Sequence, residues 1–134
     1  MYVTDTHPLI WYASGDRKLS KKVKDVFDDC LIRGKIAIYL PTVVLWEISL
    51  VLKADANEFD LAVPYDEFVD RLFEIKTLIE EPVTAAIVKR SHDLNFHTDP
   101  FDTIIVATAL ERDLPLITND AVLHREEPCQ LFWD

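Results

Sequence analysis

The chain has 134 residues, 49% of them hydrophobic and 28% charged, with a formal net charge of −10, so it can bury an ordinary core without disulfides or structural metal, and one domain over 1–134 is expected. That acidity argues against holding a polyanion by bulk attraction, and any nucleic-acid role must rely on a local patch, the only dense basic cluster being "RKLSKKVK" at 17–24, or on a partner's surface. No run approaches the roughly 18 apolar residues of a membrane span, "MYVTDTHPLIWYASGD" lacks a basic leader, and Cys30 and Cys129 lie outside any CxxC pattern, which predicts a cytoplasmic protein with two buried free thiols.

In chain order, "MYVTD" predicts a short strand and "HPLIWYA" a short helix, with Pro8 in its first turn, where the missing N–H costs nothing. Ser20 is placed to cap a helix in which Val23, Val26, Phe27, Cys30 and Leu31 recur at helical spacing until Gly34 stops it. "KIAIYLP" is a β-rich strand closed by Pro41, after which Thr42 is expected to cap "VVLWEISLVLK", a helix apolar nearly all round. "ADANEFDLAVP" is a loop with room for a helical turn, "YDEFVDRLFEI" an amphipathic helix, and "KTLIEEP" a short strand. Thr84 opens the helix "AAIVKRSHDL", and a second follows Pro100. "LPLIT" is a strand, "DAVLHRE" a helical turn and "CQLFW" a last strand, with no repeat or linker anywhere. Strands alternating with helices predict an α/β sandwich around a mainly parallel sheet.

That topology locates the acids. Ligands of an open parallel sheet sit beyond the carboxyl ends of its strands. Asp5 ends the first strand, Asp120 follows "LPLIT", Asp102 stands in the first turn of a helix whose dipole favours an anion, and Glu47 interrupts an apolar helix. A carboxylate in such surroundings is costly unless it is paired or bound to a cation. Asp99 adds another acid three positions before Asp102, and like carboxylates held close raise one another's pKa. Taken singly, each acid also reads as a helix cap or an ion-pair partner, with Arg90 and Lys53 the nearest structural counterions. Taken together, they predict an acidic rim of oxygen donors without a Cys or His cluster, suited to Mg²⁺ or Mn²⁺ rather than zinc and to chemistry on phosphates.

The blocks "VTDTH", "WEI", "DPFDTIIVATA" and "LITND" together resemble the signature blocks of PIN domains, most closely the VapC-type toxins of toxin–antitoxin modules. The resemblance covers nearly the whole chain in order and spacing. It implies a three-layer α/β/α sandwich, Mg²⁺ or Mn²⁺ bound by Asp5, Glu47, Asp102 and Asp120 as the catalytic acids, and supporting roles for Asp99, Thr6 and Thr118. It further implies hydrolysis of RNA phosphodiester bonds leaving a 5′-phosphate and a 3′-hydroxyl, a tRNA or rRNA target, a homodimer, and a cognate VapB-like antitoxin that covers the acidic rim. For Asp99, metal binding, loop ordering and helix capping all stay open, and Thr6 equally reads as a turn hydroxyl satisfying backbone.

The remaining features are less specific. Trp11, Trp46 and Trp133 read first as core or interface packing, and second as stacking surfaces for bases. The basic segment reads as a solvated helix face, His97 as a solvated loop residue, and His7 and His92 carry no interpretable spacing. A haloacid-dehalogenase reading fails because the second aspartate it needs would fall at His7. A receiver domain lacks its mid-chain phosphoacceptor and late lysine. The serious alternative is a non-catalytic module of the same fold that binds a basic peptide at the acidic rim.

Overall fold

Short apolar strands separated by capped helices build the molecule, which the computed structural model describes for residues 1–54, 59–96 and 99–134. Part of the loop expected over 54–64, and His97, lie outside the described residues. The elements in chain order are β1 (Tyr2–Thr4), α1 (Thr6–Ser14), α2 (Lys21–Leu31), β2 (Ile38–Pro41), α3 (Thr42–Lys53) and α4 (Tyr65–Phe73). They continue with β3 (Leu78–Glu81), α5 (Ala85–His92), α6 (Pro100–Arg112), β4 (Leu116–Ile117), α7 (Ala121–Glu126) and β5 (Leu131–Phe132).

The five strands form one sheet in the order β3-β2-β1-β4-β5, and every pairing is parallel, with Val3 opposite both Tyr39 and Leu116. Successive crossovers from β1 to β3 step one way, and those from β3 to β5 step back across β1. Because parallel crossovers are right-handed, the change of direction puts helices on both faces of the sheet, the α/β/α sandwich, with α3 and α6 in contact. The reversal lies between β1 and β4, the place where such sheets open a crevice for ligands. Val3, Ile38, Leu40, Leu116 and Ile117 from the strands and Phe27, Ile48, Ile105 and Val106 from the helices are fully buried in the core between the layers. Burying such side chains supplies most of the driving force for folding.

Local signals act largely where the sequence places them. The Ser20 hydroxyl accepts from the Val23 N–H at 3.1 Å, and Thr84 does the same for Ile87 at 3.3 Å. Gly34, at φ +61°, ends the α2 segment while the Lys35 N–H donates back to the Asp29 carbonyl at 2.7 Å, a closure that needs the left-handed conformation glycine adopts without strain. Thr42 is a correction: it is the first residue of α3 and not its cap, and its hydroxyl donates to the Glu81 carbonyl at 3.2 Å, tying α3 to β3. α3 is not enclosed all round either, since Trp46 is 61% and Leu50 43% exposed on one side. Trp46 therefore lies outside the core, edge-on to Phe101 of α6 with ring centroids 5.0 Å apart. Cys30 and Cys129 are free, the first buried and the second half-buried. No helix among the described residues is long and apolar enough to cross a membrane.

Candidate functional site: an acidic cleft at the sheet's carboxyl edge

The first acid of the site is set by backbone geometry. β1 ends at Thr4, the Asp5 N–H donates to the Ile117 carbonyl at 3.0 Å, and the chain turns at once into α1 with Asp5 as its N-cap. The Asp5 side chain is thereby fixed at the reversal between β1 and β4. Its Oδ1 accepts from the Thr6 N–H at 2.7 Å, and its Oδ2 from the Thr118 hydroxyl, also at 2.7 Å. Thr118 follows β4 directly, and its hydroxyl oxygen accepts in turn from the Asp120 N–H at 3.1 Å. Asp120 caps α7 through the Leu123 N–H at 3.0 Å.

Two further elements supply the other acids. Glu47 lies in the second turn of α3, where the Thr6 hydroxyl donates to its Oε1, so Thr6 satisfies an acid of the site and not the backbone. Asp99 caps α6, its Oδ1 accepting from the Asp102 N–H at 2.9 Å, and Asp102, 9% exposed, stands in the first turn of that helix. Because α3 packs against α6, Glu47 is brought to the same side as Asp99 and Asp102.

All five acids, Asp5, Glu47, Asp99, Asp102 and Asp120, line one cleft of about 320 Å³. His7, Trp11, Asn119 and Ala121 complete its walls. His7 and Asn119 escape a reading of the sequence. The available signal is adjacency: Asn119 lies between Thr118 and Asp120, and His7 and Trp11 are one helical turn apart immediately after Asp5.

The electrostatics separate these acids from the ordinary buried ones. Glu81 is buried against Arg112, whose Nε and Nη2 reach its Oε2 at 2.9 and 2.5 Å, and that guanidinium lies 4.3 Å from the Tyr39 ring centroid. Asp28 is likewise buried with Lys24 at 2.8 Å and the Tyr12 hydroxyl at 2.8 Å, which hold its carboxyl below the usual range. Asp5 has hydroxyl and amide donors instead, and burial pushes its pKa up to about 6, with Glu47 adding repulsion. Glu47 is also raised, first by burial and then by the charges of Asp99 and Asp102. The two counterions that the sequence offers are elsewhere: Arg90 pairs with Glu111 at 3.1 Å, and Lys53 is exposed at the end of α3. Among the described residues, no ion pair joins Lys or Arg to Asp5, Glu47, Asp99 or Asp120.

A hard cation fits this donor set. Five of the groups lining the cleft are carboxylates, and a positive charge among them would relieve the repulsion that adds to the raised pKa of Asp5 and Glu47. Among the described residues, no three acidic, imidazole or thiol groups stand together closely enough to hold a metal ion between them. Mg²⁺ does not need three, since it keeps several of its waters and takes one or two carboxylates. Asp99 carries a structural duty as well: Asp99→Ala is expected to destabilise the protein by about 1 kcal/mol through loss of the α6 cap. Urea denaturation should show that loss largely restored in Asp99→Ser.

Comparison with known proteins places this architecture. No curated protein matches the sequence. Among solved structures, the chain is similar to VapBC2 from Rickettsia felis bound to a promoter DNA fragment, with a TM-score of 0.67 and 17% identity over 99% of this chain and 98% of that one. A toxin–antitoxin complex from Klebsiella pneumoniae gives 0.66 and 18% over 98% and 96%, and DNA-bound VapBC from Salmonella typhimurium 0.67 and 17% over 98% and 96%. At these identities the likeness is one of fold. The sequence also matches the PIN domain family model over residues 2–126, nearly its whole length, and with its acid-lined cleft at the sheet reversal this chain belongs to the PIN domain family.

Proposed function

We propose that the protein is a divalent-metal-dependent endoribonuclease, folded as one domain and acting in the cytoplasm as the toxin of a VapBC-like module. The observation that carries this reading is the convergence of five carboxylates on one cleft in a PIN-family chain. Asp5, Glu47, Asp102 and Asp120 would hold Mg²⁺ or Mn²⁺. Thr118 orients Asp5, Thr6 orients Glu47, and Asp99 fixes the α6 turn that presents Asp102. When bound, the ion supplies an activated water and charge stabilisation at the scissile phosphate. The chain's own part is to fix the carboxylates and admit the backbone of RNA, with tRNA or rRNA as the target class.

A VapB-like antitoxin is the partner this reading implies, and the toxin–antitoxin complexes among the similar structures support it. Its covering segment would bring a basic side chain into the rim in place of metal. A homodimer belongs to the same reading, and Trp46, with Leu50 one turn along α3 and Val83 beside it in one shallow groove, each more than 40% exposed, offers an apolar surface for it.

The test is incubation of the purified protein with a total RNA pool in Mg²⁺ or Mn²⁺, with EDTA as control and the cut ends sequenced. Discrete cuts bearing 5′-phosphates, lost in EDTA, are the expected result. Binding of a basic peptide to the rim without any cleavage would favour the non-catalytic module instead.

A further inference from the structure

The acidic cleft does not end at its carboxylates. Trp11 and His7 also line a second depression of about 350 Å³, whose far side is formed by Ser14, Asp16, Lys18 and Phe59. The two residues thus form a ridge shared by both hollows. Trp11 is half-buried, with Trp133 edge-on to it at 5.9 Å between centroids and the His7 ring tilted 5.7 Å away. Its indole is held from one side and is not enclosed.

The basic segment lies against this ridge. The Lys18 Nζ stands 5.8 Å from the Trp11 ring centroid, and the Lys22 Nζ 5.0 Å from that of Phe132. The Ser20 hydroxyl donates to the Trp133 carbonyl at 2.8 Å, which fastens the start of α2 to the aromatic pair. Among the described residues, Lys18 and Lys22 make no ion pair with a carboxylate, whereas Lys24 of the same segment is taken by Asp28. On a chain of net charge −10, two exposed ammonium groups resting on aromatic faces, Lys18 on the Trp11 ring that lines the acidic cleft, are out of keeping with a merely solvated helix face.

We propose that Trp11, Lys18 and Lys22 form the track along which a single-stranded segment of RNA enters the cleft. A base flanking the scissile phosphate stacks on Trp11, while Lys18 swings off the indole to a backbone phosphate and Lys22 takes another. The proposal rests on the ribonuclease reading and adds what that reading lacks, a way for an acidic protein to hold its substrate. Single-stranded nucleic acid is bound elsewhere by this combination of π faces and cations, because every base offers a stacking face. A basic peptide would meet repulsion from both lysines, which favours RNA as the occupant of this part of the surface.

The test uses a fluorescein-labelled, unstructured oligoribonucleotide with the full chain. Binding is read by anisotropy in EDTA and cleavage by initial rates in Mn²⁺. Trp11→Leu, which stays apolar but loses the ring, is expected to weaken binding and raise KM on the order of tenfold, with kcat little changed. Trp11→Phe, which keeps a stacking face, is expected to stay close to wild type in binding and KM. A purely structural role would lower the stability of both variants and leave RNA binding and KM alone. Lys18→Ala is expected to reduce the slope of log affinity against log salt by roughly 0.7, one phosphate contact on a single strand. Equal behaviour of Trp11→Leu and Trp11→Phe, an unchanged salt slope in Lys18→Ala, or capture of a basic peptide on the ridge in preference to RNA would overturn the proposal. Failure of the wild type to cut any RNA while the anisotropy pattern holds would remove the ribonuclease reading and leave the track standing.

Discussion

Asp5→Asn is expected to lower metal-dependent RNA cleavage by more than about a hundredfold, since even groups that only orient a metal's ligands typically cost 10–100-fold when removed. The substitution is nearly isosteric. Its carbonyl still accepts from the Thr6 N–H, and its amide can face the Thr118 hydroxyl oxygen, so both bonds that fix Asp5 keep a counterpart. What disappears is one negative charge at the reversal between β1 and β4. Asp102→Asn and Glu47→Gln are expected to fall in the same range, as each also removes charge from the same cleft. Thr118→Val should lose less, because it leaves the Asp5 charge in place and frees only one of its oxygens. The check is initial cleavage rates in Mn²⁺ for these variants, with circular dichroism to show that each is folded. A rate for Asp5→Asn within a fewfold of wild type would remove the metal site as proposed.

The order of elements was legible because local chemistry and tertiary packing agree along most of this chain. Apolar runs between capping residues became strands and helices where Ser20, Thr84 and Pro100 predicted them. Strand ends were less so: "KIAIYLP" yields only Ile38–Pro41 and "LPLIT" only Leu116–Ile117, since pairing partners, and not β-propensity, decide where a ladder stops. Thr42 was misread for a related reason. A threonine before an apolar helix has the composition of a cap, but β3 runs alongside β2 and offers a carbonyl within its reach. The acids were legible as a group because a parallel sheet sends its strand ends and several helix starts to one edge. The supporting roles of Thr6 and Thr118 follow from the family resemblance alone and not from local pattern, since their bonds to Glu47 and Asp5 span 41 and 113 residues. Nor does composition tell a buried acid with a guanidinium, such as Glu81, from one without, such as Asp5.

That difference between Asp5 and Glu81 leads to a prediction about stability. An aspartate with an ordinary pKa near 3.8 that titrates at about 6 in the fold binds more protons folded than unfolded between those values. Stability from this group is therefore greatest below about pH 4 and is lost as pH rises through about 6. Glu47 acts in the same direction. A shift of this size corresponds to a penalty on the order of 3 kcal/mol at neutral pH. The stability of metal-free Asp5→Asn relative to metal-free wild type should accordingly rise by about that amount between pH 4 and pH 7.5, with most of the change near pH 5–6. Comparing the two proteins at each pH cancels groups that shift the other way, such as Asp28. A divalent cation should do for the wild type what the substitution does. Mg²⁺ or Mn²⁺ is expected to raise the wild-type melting temperature at pH 7.5 in proportion to the logarithm of its concentration above Kd. The effect should shrink at pH 5, where protons compete for the same oxygens, and be largely absent in Asp5→Asn. Thermal melts across pH and metal concentration check all three expectations. An Asp5→Asn difference that does not change with pH, or equal metal responses in both proteins, would mean that the cleft's charge is balanced by some means other than a bound cation.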